Sequence, residues 1–317
     1  MEECASTPGA SVRDHLGEPG SVSDSDRLGP PRSPRKRVWG IVMASRDQVA
    51  TGPGRGNESS PHQHPPHRGI GGGRSGIQRT LDLLAQLLDR RRTFLAVPSA
   101  LEEPAGSLSS MHEGPLLTQP AGAGTWATVL LAVTYLHERD PDAIVVTCPW
   151  DQQVLPEDRF IEHLRELCHF TSLHPDRLFV SGIRFTETGS RGGPGRLRRN
   201  LIKVGRFWIM ETWCFRASTL WKLGWSIDSE AMSRFDALRR VLHAAAFERV
   251  PSDHVKIALS SVFRALEPAG LSSSLLRRAR EAVRVVPMEG IQRRDPNGRE
   301  SALQVRHGQA PIPASLC

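Results

Sequence analysis

Cysteine is scarce and poorly placed for cross-linking. Cys4, Cys148, Cys168, Cys214 and Cys317 are odd in number, widely spaced and nowhere arranged as C-x-x-C. That excludes a disulfide framework and a cysteine zinc site, and it favours a reducing compartment, the cytoplasm. Long apolar runs are also missing: none nears the roughly 20 residues of a membrane span. The start, Met1-Glu2-Glu3-Cys4, lacks the basic beginning and apolar middle of a signal peptide. No membrane partner is expected. Aromatic residues are 6% of the chain, with a single tyrosine. Because no basic patch is interleaved with them, a net charge of +7 from 41 Lys and Arg against 34 Asp and Glu does not predict a nucleic-acid partner.

What is present is unevenly distributed. The 24 Pro and 28 Gly crowd into particular stretches, while 38% hydrophobic residues in 317 suffice for a substantial core. Residues 1–36, rich in Ser, Pro, Gly and charge without hydrophobic period, read as a disordered tail. Residues 37–299 read as one domain, interrupted at 45–73 by a long polar loop of Gly, Pro and His, and 300–317 read as a loose tail.

Within the domain, Val38 to Ala44 has the apolar run of a central strand. Ser75 is placed to cap a helix through Leu88, with Ile77, Leu81, Leu84, Leu87 and Leu88 near one face. Thr93 to Val97 follows as a strand, Leu101 to Pro115 as loop, Trp126 to Glu138 as a helix and Ala143 to Cys148 as a third strand. This β-α-β-α-β alternation predicts an α/β fold with a mostly parallel, doubly wound sheet and right-handed crossovers. Phe160 to Phe170 adds a helix and Arg177 to Ile183 a strand. The rest is less regular: an apolar, aromatic run over 201–215, helices near 218–223, 232–247 and 255–266, and a last strand over 282–287.

The stretch from Gln119 to Asp151 carries the most chemistry. A loop, Gln119-Pro120-Ala121-Gly122-Ala123-Gly124-Thr125, opens a helix, and the next strand ends at Pro149-Trp150-Asp151. A glycine-containing turn at a helix N-terminus offers backbone N–H groups to a phosphate or a base edge. An acid just past the C-terminal end of a parallel strand stands where open α/β sheets bind ligands and where Mg²⁺ is held against phosphates. Together they predict a nucleotide site, with Asp151 one candidate metal ligand. The plainer use of Asp151 and Thr125 is as turn and helix caps.

In order along 38–299, the run Trp39 to Ala44, Gln119-Pro120 through Gly124-Thr125, Asp140-Pro141-Asp142-Ala143-Ile144-Val145-Val146 ending in Pro149-Trp150-Asp151, Pro175-Asp176-Arg177-Leu178 and Thr219 to Trp225 resemble landmarks of bacterial mannose-1-phosphate guanylyltransferases. The resemblance implies a Rossmann-like nucleotidyltransferase fold that joins GTP to mannose 1-phosphate, releasing pyrophosphate and giving GDP-mannose. It implies Gln119, Gly124 and Thr125 in the guanosine pocket, Asp151 as catalytic metal ligand, Asp295 as a second metal-binding acid, and Mg²⁺ as cofactor.

The chain departs from that pattern where the chemistry is densest. The family's G-G-x-G-x-R signature and following Lys-Pro give way to Ser45-Arg46-Asp47-Gln48, and Gly52, Gly54, Arg55 and Gly56 come only further on. The arginine of QP-x-x-R-G-T is Ala123, and P-S-D-H becomes Pro149-Trp150-Asp151-Gln152. Tyr-Gly and Glu-Lys-Pro sugar motifs have no counterpart over 186–205, and Trp-Asn-Thr becomes Trp208-Ile209-Met210, whose alkyl chain cannot bond a sugar hydroxyl. Three readings follow: the first is a divergent transferase, the second a catalytically dead homologue acting as a nucleotide-binding or regulatory subunit, with itself or an active paralogue as partner. An eroding gene product is the third. His62, His64 and His67 read as loop rather than metal site, Trp208, Trp213, Trp221 and Trp225 as core or sheet-edge packing, and Arg196, Arg198, Arg199 and Lys203 as a solvated basic loop.

Overall fold

The computed structural model describes residues 37–44, 74–98, 112–119, 124–150, 153–184, 202–247 and 252–294. The expected tails, the 45–73 loop, Asp151 and Asp295 lie outside the described residues. The elements are β1 (Val38–Met43), α1 (Gly76–Leu84), β2 (Thr93–Pro98), β3 (Leu116–Gln119), α2 (Gly124–Arg139), β4 (Ile144–Pro149), β5 (Gln153–Leu155), α3 (Glu157–Leu173) and β6 (Leu178–Arg184). They continue as β7 (Ile202–Val204), β8 (Phe207–Arg216), α4 (Ala217–Ile227), α5 (Ser229–Phe247), α6 (Ser252–Arg264), α7 (Leu271–Arg278), β9 (Val283–Pro287) and β10 (Gln292–Arg294).

The main sheet has eight strands in the order β3-β2-β1-β4-β8-β6-β9, with β7 paired to β8. All run one way except β8, which is antiparallel to β4, β6 and β7. The mostly parallel α/β reading therefore holds. The reversed strand β8 was not legible, because an apolar run buried on both faces carries no sign of its direction.

Side-chain alternation along the strands supplies two cores. Ile41, Met43, Phe94, Ala96, Val145, Val180, Trp213 and Val285 point to the face covered by α2 and α4 to α7. Val42, Leu95, Val146, Cys148, Phe179 and Cys214 point to the face covered by α1 and α3. A sheet covered on both sides needs strands apolar at nearly every position, which is how β1, β2 and β4 read apart from the buried Thr93 and Thr147.

Ser75 caps α1 as expected. Its hydroxyl accepts the Gln78 N–H at 3.2 Å, and the Gln78 side chain accepts the Ser75 N–H at 2.8 Å. The helix stops at Leu84, yet Leu87 and Leu88 stay buried in the turns that follow. Gln119, expected in a loop, is the last residue of β3. The stretch over 271–278, where no element was expected because of its serine run, is α7. Trp225 departs from the packing expectation and is 41% exposed on α4.

Candidate functional site at the carboxyl edge of the sheet

From β1 the chain winds outward to β2 and β3, then returns through α2 to place β4 on the other side of β1. The carboxyl ends of β1 and β4 thus flank the switch point at which open α/β sheets form their ligand crevice. Met43 and Pro149 are paired there. Beyond them the Trp150 N–H donates to the Met43 carbonyl at 3.2 Å, and the Trp150 carbonyl accepts the Thr80 hydroxyl of α1 at 3.0 Å. The indole lies against Gly76 so closely that a Cβ at that position would stand 2.7 Å from the ring. Trp150 Nε1 is buried and has no acceptor among the described residues.

Asp151 is the next residue, and two residues on the chain enters β5, which pairs antiparallel with β10. In that ribbon Gln153 faces Arg294, and Asp295 follows Arg294 directly. Gln153, two positions after one expected metal ligand, is thereby paired with Arg294, next to the other in sequence. Among the described residues no group of three or more His, Cys, Asp and Glu is arranged to hold a metal ion.

Gln119, Gly124 and Thr125 do come together, at the start of α2. Gln119 Oε1 and the Gly124 carbonyl each lie 2.9 Å from the Thr128 hydroxyl. Thr125 Oγ1 accepts the Leu271 N–H at 2.8 Å, and the Trp126 N–H donates to the Ala269 carbonyl at 3.0 Å. Gly124, at φ 77°, packs on the Ala269 backbone with room for no Cβ, which would stand 2.4 Å from the Ala269 oxygen. The segment leading into α7 therefore takes an N–H and a hydroxyl that the sequence pattern assigns to a ligand.

Other reactive groups are sealed inside. His163 of α3 and Ser181 of β6 are 2.9 Å apart, with Glu166 3.8 Å from the other ring nitrogen, but the Ser181 side chain is fully buried and His163 nearly so. The His163–Ser181 contact ties α3 to the sheet. Cys148, Cys168 and Cys214 share the α3 face, where burial pushes the Cys148 thiol up to about 12. The Cys168 thiol is also raised, by its hydrogen bond with Cys214 and then by burial. Neutral thiols are poor nucleophiles and poor metal ligands. Ile209 and Met210 are buried on opposite faces of β8, so neither contributes polar chemistry. His62, His64, His67, Arg196, Arg198 and Arg199 lie outside the described residues.

No protein-family model and no curated protein sequence matches the chain. Solved structures do. One, described as mannose-1-phosphate geranyltransferase from Thermus thermophilus, is 20% identical, with a TM-score of 0.54 over 80% of this chain and 74% of that one. Another, described as mannose-6-phosphate isomerase from Helicobacter pylori, is 10% identical, with a TM-score of 0.53 over 80% of this chain and 99% of that one. At such identities the likeness establishes the Rossmann-like α/β fold. Two different activities are named on that fold, so any choice of reaction rests on the site.

Proposed function

We propose that the chain is a divergent sugar-phosphate nucleotidyltransferase of the mannose-1-phosphate guanylyltransferase type, moving GMP from GTP to mannose 1-phosphate to give GDP-mannose. The observation that supports this reading is the β5–β10 ribbon, which pairs Gln153, two positions after Asp151 in the sequence, with Arg294, the residue before Asp295. Two carboxylates, one following the central strand β4 and one following β10, would with phosphate oxygens form the all-oxygen donor set that Mg²⁺ takes. Mg²⁺ bound there would neutralise charge developing on the α-phosphate and on the departing pyrophosphate.

In this reaction a phosphate oxygen of the sugar phosphate attacks the α-phosphorus, the bond from that phosphorus to the α–β bridging oxygen breaks, and pyrophosphate leaves. Asp151 and Asp295 fix the reacting phosphates in line. Gln119 keeps its amide NH₂ and Thr125 its hydroxyl proton for the nucleotide, because their oxygens act as acceptors within the fold. Gly124 sets the turn that brings them together.

One observation favours the second reading, a catalytically silent nucleotide-binding or regulatory homologue: Ala269 and Leu271 already engage the first turn of α2. Pyrophosphate release from GTP, mannose 1-phosphate and Mg²⁺ decides between them. Turnover that Asp151→Asn abolishes is the expected result. No turnover at high protein concentration would favour the silent homologue.

A further inference from the structure

We infer that Trp150 contacts the ligand directly, its indole N–H donating to a phosphate oxygen of a nucleotide held in the β1–β4 crevice. The inference rests on the nucleotide-binding reading above and adds to it a residue that the family resemblance does not supply, since the corresponding landmark carries a small residue there.

The main chain of Trp150 is fully engaged, its N–H by Met43 and its carbonyl by Thr80. Gly76 lets the ring press against the first turn of α1. These contacts fix the residue at the carboxyl end of β4 against the first turn of α1, and Nε1 is then left buried without an acceptor among the described residues. Buried donors in folded proteins are nearly always paired, and one that is not costs stability. Phenylalanine would fill the same space without that cost, so the retained N–H points to an acceptor that arrives from outside. The indole nitrogen can only donate. The ligand group must therefore be an acceptor, and next to Asp151 at the switch point the fitting acceptor is a phosphate oxygen. Because Nε1 is covered, nucleotide entry must part the cover or turn the ring, so binding and local opening are coupled.

The test follows the indole N–H resonances of the seven tryptophans during titration with GTP and Mg²⁺, and compares Trp150→Phe with the wild type by calorimetry and melting. The Trp150 signal is assigned by its loss in Trp150→Phe or by its proximity to Gly76. A large downfield shift of that signal is expected, with about tenfold weaker binding in Trp150→Phe and a melting temperature unchanged or higher. If the wild type binds GTP while the signal stays still and the variant binds equally well, the inference falls and the nucleotide-binding reading stands. If the wild type binds neither GTP nor pyrophosphate, both fall. Should Trp150→Phe not fold, the wild-type titration alone decides.

Discussion

At the first turn of α2 the Trp126 N–H and the Thr125 hydroxyl are engaged by residues of the loop into α7, and Gly124 is packed flush on the same backbone. At the end of β4, on the same edge of the sheet, the chain presses an indole against Gly76 at the start of α1 and leaves its N–H buried with no acceptor among the described residues. Both places begin from one topological feature, the carboxyl ends of parallel strands, and they differ in polar satisfaction. The α2 turn is the more finished of the two, its Thr125 oxygen and Trp126 N–H used in holding α7 to α2. The β4 end is the less finished, with one buried indole N–H that has no acceptor among the described residues.

The sharpest test of that contrast is at the less finished end. Asp151→Asn and Asp295→Asn should each lower nucleotidyl transfer at least about a hundredfold, since metal-assisted charge stabilisation is worth several kcal/mol and about 1.36 kcal/mol is tenfold in rate. Steady-state pyrophosphate release measures it, and retained turnover in both variants would place the metal elsewhere. At the more finished end the effects should fall on stability. Gly124→Ala combines a positive φ with a Cβ aimed at the Ala269 oxygen, and should cost about 2 to 4 kcal/mol in denaturant unfolding.

Thr125→Val keeps the shape and strands the buried Leu271 N–H, for an expected loss of about 1 to 3 kcal/mol. If both α2 variants kept wild-type stability, the turn would not be the closed structure described, and α7 would be free to move. The smallest effect lies away from both ends. Glu138 of α2 is held below its ordinary 4.5 by hydrogen bonding to Arg239 of α5, and further by His243, against some opposition from burial. A depressed carboxylate pKa stabilises above the unfolded value and is lost as pH falls through the folded value. The melting temperature of the wild type should therefore drop more steeply below pH 4.5 than that of Glu138→Gln.

Much of the frame could be read from the chain because it depends on local pattern. The apolar runs of β1, β2 and β4, the Ser75 cap and the long periodicity of α2 and α3 each announce themselves within a few residues. Short elements did not. The four residues of β3 and the three each of β5 and β10 are too few to carry a period, and they exist because a partner strand satisfies their backbone. For α7, Leu271 and Leu275 mark one buried stripe, but the Ser272-Ser273-Ser274 run masks it. Ser272 is itself buried, its hydroxyl accepting the Trp213 indole N–H at 3.0 Å. The candidate site was legible in part. Gln119, Gly124 and Thr125 stood out in the sequence and lie around the start of α2, whereas the bond from Leu271 to Thr125 spans 146 positions of the sequence, which no local reading contains.

By itself the sequence determined which segments are apolar enough to be central strands, where α1 is capped, and that an acid follows the third long strand, since each of these is fixed by residue type within one turn or one strand. Tertiary structure alone decided that β8 runs against its neighbours, that β5 and β10 pair Gln153 with Arg294, and which donors at the carboxyl edge are satisfied. Those outcomes depend on hydrogen bonds between distant strands and helices, and the geometry of such bonds is set by the packing of both faces of the sheet rather than by any run of adjacent residues.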